Sequence, residues 1–158
     1  MIRAATPGDI PRIHALILEL ARYEKLENEA VVTEKQLASS LFGSRIAHVE
    51  AIVADAGKEG VVGFALFFHN YSTFLGRRGL YLEDLFVVPA HRRNGHGKAL
   101  LRELARLAVE RGCGRFEWAV LQWNEPAVEF YRSLGAREMS DWRIFRLTGD
   151  ALQRLATK

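Results

Sequence analysis

The sequence predicts a mixed α/β domain, one mixed central β-sheet flanked by helices. Three observations predict it. Apolar runs of strand length, bounded by glycine, proline or charged residues, fall at 48–55, 61–68 and 79–88. Segments with apolar residues at helical spacing lie before and after them. Finally, 158 residues at 49% hydrophobic and 26% charged suffice for one domain with a proper core, and not for two comfortable ones. Residues 1–158 are therefore expected to form a single domain.

The elements follow in order. "IRAAT" (2–6) reads as a short strand, and Thr6 as the cap of a helix with Pro7 at its first position and Asp9 in its first turn. Ile10, Ile13, Leu16, Ile17 and Leu20 then share one helical face. A second helix starts at Thr33, where "TEKQ" has the spacing of a capping box. "HVEAIVAD" (48–55) and "VVGFALFF" (61–68), joined by "AGKEG", read as a hairpin, and "GLYLEDLFVV" (79–88) as a strand closed by Pro89. Residues 96–111 read as an amphipathic helix with Leu100, Leu104, Leu107 and Ala108 on one face and Gly112 at its stop. "RFEWAVL" (115–121) is the next strand. Asn124 caps a helix running to about Leu134, with Pro126 in its first turn and Gly135 at its end. "WRIFRL" (142–147) is expected as a last strand, before a helical tail.

Several function classes find little support. The formal charge of +3 is mild, and the arginine pairs at 77–78 and 92–93 are short and separated, so no nucleic-acid partner is expected. No apolar stretch is long enough to span a bilayer and no leader pattern opens the chain, so neither a membrane partner nor export is expected. Cys113 is the only cysteine; it excludes an intrachain disulfide and suits a cytoplasmic location. Set in "RGCGR", it reads as a loop thiol rather than a nucleophile. The five histidines have no cysteine or carboxylate at zinc-like spacing, so no metal is expected.

The chemistry concentrates in "VVPAHRRNGHGKALL" (87–101). A P-loop ending at Gly97-Lys98 needs Gly at 92 and Ser or Thr at 99, where Arg92 and Ala99 stand. A dinucleotide fingerprint from Gly95 needs Gly at 100, where Leu100 stands. The pattern that fits is Arg92-x-x-Gly95-x-Gly97, after a strand and opening a long helix. There glycines let backbone N–H groups wrap a pyrophosphate at a helix N-terminus, with Arg93 and Lys98 adding charge at the rim. A tight solvent-exposed turn remains the alternative.

With this loop the chain resembles the GNAT superfamily of acyl-CoA-dependent N-acetyltransferases, whose (Gln/Arg)-x-x-Gly-x-(Gly/Ala) loop binds the coenzyme A pyrophosphate. More narrowly, "LARYEKLE" (20–27), "VTEKQL" (32–37), "GFALFF" (63–68), "LYLEDLFV" (80–87) and "WNEPAVEFY" (123–131) are similar to the diamine branch, spermidine/spermine N-acetyltransferase. The resemblance implies the GNAT fold and acetyl-CoA as co-substrate. It carries the cofactor site onto Leu85, Phe86 and Val87, onto Arg92, Arg93, Asn94, Gly95, His96, Gly97 and Lys98, and onto Asn124, Glu125, Pro126, Ala127 and Tyr131. It further implies a homodimer.

The resemblance makes Tyr131 the general acid that protonates the leaving thiolate. A thiol near pKa ~8.5 and a phenol near ~10 differ by roughly 2 kcal/mol, which a positioned acid can overcome. Glu83 matches the branch's strand carboxylate, which binds the amine and relays its proton through water. Alkyl ammonium groups have pKa near ~10.4, so the substrate needs an acceptor. Tyr23 and Glu24 match amine-holding positions, and Glu117, Trp118 and Ala119 lie on the strand flanking the substrate. In a regular strand Asp84 would point away from Glu83. The acidic stretch 23–29 in a net-basic chain suits a small cationic amine. The segment before Trp142, "REMSD", is short and weakly acidic, which disfavours spermine relative to a diamine or the side chain of thialysine or lysine. A non-catalytic acyl-CoA-binding module is the reading from another class; it would need neither Tyr131 nor Glu83.

Overall fold

The computed structural model describes residues 1–43 and 48–157. Its elements are β1 (Ile2–Ala4), α1 (Ile10–Glu24), α2 (Glu34–Phe42), β2 (Glu50–Asp55), β3 (Val61–Ser72), β4 (Arg77–Val87), α3 (His96–Glu110), β5 (Phe116–Trp118), α4 (Glu125–Ser133) and α5 (Gly149–Ala156). Two compact units divide them, Met1–Leu121 and Gln122–Lys158.

The first unit holds a sheet in the order β1-β2-β3-β4-β5. Neighbours run antiparallel as far as β4, and β5 lies parallel to β4. Parallel strands need a crossover, which α3 supplies. Phe64, Leu66 and Phe86 from the sheet join Ile13, Leu16 and Leu20 of α1 and Leu37 and Leu41 of α2 in one buried cluster. Phe67, Leu80 and Leu82 are equally buried outside that cluster, as are Leu100 and Leu104 of α3. Because successive strand residues alternate, this is the sheet's other face, and α3 packs on it.

Local chemistry explains the element ends. The Thr33 hydroxyl accepts from Gln36 N–H at 3.2 Å, so the expected cap of α2 forms. Thr6 precedes only a single 3-10 turn at Pro7–Asp9, its N–H donating to Asp9 Oδ2 at 2.8 Å, and α1 begins later than expected, at Ile10. Lys25 adopts left-handed φ 61 and stops α1, with Leu26 N–H donating back to Ala21 O at 2.8 Å. That stop leaves Tyr23 and Glu24 in the last helical turn. Gly112 ends α3 at φ 67.

Two strand expectations need correction. β5 covers only Phe116–Trp118 rather than 115–121. Residues 142–147 form no strand at all. Trp142, Ile144, Phe145 and Leu147 are 73%, 81%, 90% and 51% exposed. Their alternation breaks between Ile144 and Phe145, so neither face is continuous, and no strand is assigned there among the described residues. In the second unit α4 does form, its first turn closed by Ala127 and Val128 N–H donating to Asn124 O, with Gly135 at φ 87 beyond its end.

Candidate active site

The centre of the site is a β-bulge in β4. Leu66 pairs with Asp84 and Phe67 with Leu82, so Glu83 is an inserted residue with no partner on β3. The insertion reverses the alternation. Tyr81 pairs with Phe68 and Asp84 with Leu66, and cross-strand partners share a face, so Tyr81 and Asp84 point to the same side although three apart. That side carries α1.

The consequence is electrostatic. Asp84 is pushed up to about 6, first by burial and then by the charges of Glu83 and Glu24. Burial also raises Glu24. Tyr81 is raised by burial and then by Glu83 and Glu117. Among the described residues, Glu24, Glu83 and Asp84 form no ion pair. Glu117 differs: it lies 2.9 Å from Arg115 Nε and accepts from Asn70 Nδ2 at 3.3 Å.

Asp84 departs from the orientation expected of a regular strand. A regular strand would turn it away from Glu83; the bulge turns it toward Glu83 and Glu24. The signal available in the sequence was the adjacent Glu83-Asp84 pair inside an apolar run, which alternation alone cannot place on one solvated face.

β4 also presents open backbone. β5 pairs only with Leu80, Tyr81 and Leu82, so among the described strands of the first unit none pairs with β4 on that edge from Glu83 onward. Val88 N–H donates to Val62 O at 3.0 Å, which fixes the alternation: Phe86 bonds inward to β3, while Leu85 and Val87 turn their backbone groups outward. Phe86 contributes its ring to the core instead.

The loop after β4 makes a single 3-10 turn at Pro89–His91 and then enters α3 through Arg93 at φ 65 and Gly95 at φ 80. First-turn amides of a helix have no intrahelical acceptor, which leaves the N–H groups around His96, Gly97 and Lys98 available to an anion. A Cβ at Gly97 would meet nothing within 4 Å, and its φ is not positive. Glycine there costs the helix about 1 kcal/mol against alanine and relieves no clash within the protein. Open space beside free amides is what a close-approaching phosphate would need. Arg93, Asn94 and Lys98 are exposed around it. Arg92 Nε donates to Val87 O at 3.0 Å. Trp118 pairs with Leu82 beside the bulge, its ring 4.9 Å from that of Phe116, and Ala119 follows, exposed.

The remaining expected residues belong to the second unit. Asn124 stands at the N-cap position of α4 without a side-chain capping bond, Glu125, Pro126 and Ala127 form its first turn, and Tyr131 stands half-buried in its last, its ring 5.5 Å from that of Phe130. Among the described residues there is no group of histidine, cysteine and carboxylate side chains that could hold a metal, and no helix long and apolar enough to cross a membrane.

Comparison with known proteins bears on this arrangement. The model of the acetyltransferase (GNAT) family matches residues 16–136. L-ornithine N5-acetyltransferase NATA1 of Arabidopsis thaliana is 39% identical over 98% of the chain and 86% of its own length. Thialysine N-epsilon-acetyltransferase of Sus scrofa is 36% identical over 100% and 98%. The human spermidine/spermine N(1)-acetyltransferase-like protein 1 is 33% identical over 98% of the chain, which spans 23% of that longer protein. Among solved structures, an integron cassette protein of V. cholerae superposes with a TM-score of 0.82 at 28% identity, covering 100% of this chain and 98% of its own.

Proposed function

The chain belongs to the GNAT family of acetyltransferases, acetyl-CoA-dependent N-acetyltransferases, and from that premise we propose that it acetylates a terminal primary amine of a small aliphatic diamino compound. The observation that carries the substrate class is the trio Glu24, Glu83 and Asp84, carboxylates whose charges act on one another and which form no ion pair among the described residues. A substrate with two ammonium groups would supply the missing charge, one at the reacting end and one beyond it.

Acetyl-CoA supplies the activated acetyl thioester. In the proposed arrangement the outward backbone groups of Leu85 and Val87 hold the acyl arm. The loop from Arg92 to Lys98 takes the pyrophosphate, and the family resemblance carries further coenzyme A contacts onto Asn124, Glu125, Pro126 and Ala127. Backbone N–H groups of β4 stabilise the oxyanion as the amine attacks. Glu83 accepts the amine proton through water, and Tyr131 donates a proton to the departing thiolate. Transfer is direct, since Cys113 lies beyond the end of α3 and outside the site.

Within the diamino class, the diamine reading has a rival. The relatives named for ornithine and thialysine are more similar to this chain than the spermidine/spermine-like protein, which favours a diamino acid. The deciding experiment is a thiol-release screen with putrescine, spermidine, spermine, thialysine, ornithine, lysine and an aminoglycoside. Turnover with a diamine or diamino acid, and the weakest kcat/KM with spermine, is expected. Turnover of the aminoglycoside alone would overturn the proposal. We further propose one domain, a cytoplasmic location and a homodimer, the last tested by sedimentation of the active enzyme.

A further inference from the structure

The last turn of α1 touches both parts of the site. The charge of Glu24 acts on Asp84 of β4, whereas Tyr23 meets the loop: the Arg92 guanidinium carbon sits 4.6 Å from the centre of the Tyr23 ring. The same guanidinium is 5.5 Å from the centre of the Phe86 ring, and its Nε donates to Val87 O at 3.0 Å. A loop arginine on an exposed surface ordinarily keeps most of its rotamer freedom. Two aromatic rings and one carbonyl restrict this one while engaging only Nε. Among the described residues its only hydrogen bond is the one from Nε, and it forms no ion pair.

We propose that Tyr23 is a positioning residue for the acyl carrier: its ring face holds Arg92, so that the coenzyme A pyrophosphate meets a guanidinium already ordered. The inference rests on the reading of 92–98 as the pyrophosphate loop. It assigns Tyr23 a role apart from any contact with the amine. An amine contact would use the phenol oxygen, while stacking uses the ring, so the two roles separate by substitution.

The test is calorimetric titration of coenzyme A alone, without amine, into the wild type and into Tyr23→Phe, Tyr23→Leu, Arg92→Ala, the Tyr23→Leu/Arg92→Ala double variant and Gly97→Val. Tyr23→Phe should bind within about twofold of wild type, and Tyr23→Leu about 3- to 10-fold more weakly. In the Arg92→Ala background, Tyr23→Leu should cost little more, because the two act as one unit. Undiminished affinity in Tyr23→Leu, equal loss in Tyr23→Phe, or fully additive losses would overturn the inference. Gly97→Val separates the premise: if it weakens binding while Tyr23→Leu does not, only the role of Tyr23 falls. If neither matters, the loop has been misread. Tyr23 is 36% exposed, and thermal melts of each variant report whether the fold is kept.

Discussion

Asp84 and Glu24 come from different elements, β4 and the end of α1, yet their charges interact: burial and then the charges of Glu83 and Glu24 push Asp84 up to about 6. The inserted Glu83 makes this possible. A carboxyl whose folded value lies above its unfolded value of ~3.9 opposes folding once it ionises. The penalty is absent below about pH 4, grows between pH 4 and 6, and is complete above pH 6. Asp84→Asn should therefore raise thermal stability at pH 7.5 by roughly 1–3 kcal/mol, and the gain should vanish at pH 4. The same substitution should raise the amine KM at pH 7.5, and wild-type KM should rise as pH falls through 6. A variant no more stable than wild type at pH 7.5 would show that Asp84 is not burdened by its neighbours.

Gly95 and Gly97 serve different ends and should respond differently. Gly95 stands at φ 80, so any side chain there strains the backbone as well as crowding the ligand. At Gly97 an added Cβ has no heavy atom within 4 Å, so the effect of Gly97→Val on the melting temperature should be small, near the helix propensity difference. Its coenzyme A affinity should nevertheless fall at least tenfold, about 1.4 kcal/mol. Unchanged affinity in both variants removes the loop from the carrier site.

Tyr131→Phe and Glu83→Gln should differ in pH profile and not merely in size. Loss of a general acid should lower turnover by ~10²–10⁴ with little change in coenzyme A affinity. Loss of the amine's acceptor should raise amine KM and lower turnover, with partial recovery at high pH where free amine is abundant. A Tyr131→Phe enzyme at full speed would sink the assignment.

Direct transfer predicts intersecting initial-rate lines and an active Cys113→Ala enzyme. Parallel lines, or an inactive variant, would instead indicate an acetyl-enzyme.

Away from the site, Asp9 anchors the first turn. Arg3 Nη1 and Nη2 donate to its two oxygens at 2.8 and 3.0 Å, and Thr6 N–H adds a third bond at 2.8 Å. The hydrogen bonds from Arg3 hold its carboxyl well below the usual range, against the opposing effect of burial. A depressed carboxyl contributes stability above its unfolded value near ~3.9 and loses it as pH falls below that. Asp9→Asn should cost about 2–4 kcal/mol at pH 7, with the gap narrowing in acid; equal urea midpoints at pH 7 would contradict this.

Most of the first unit was legible because its signals are local. The capping box at Thr33, the apolar face of α1 and the stop at Gly112 each depend on residues within a turn or two of one another. The loop 92–98 was legible for the same reason, its glycines and arginines falling between a strand and a helix whose periods differ. Pairing was not. Whether 142–147 becomes a strand depends on a hydrogen-bonding neighbour that the segment's own residues do not specify, and the length of β5 depends on where β4 stops accepting it. The bulge at Glu83 is the consequential case. Alternation assigns sides by counting along one strand, whereas a bulge is a mismatch between two, so only the ladder with β3 could turn Asp84 toward Glu24. By itself the sequence determined which residue types the site contains. Tertiary structure decided which of them share a face, because desolvation and charge repulsion arise between elements and not along the chain.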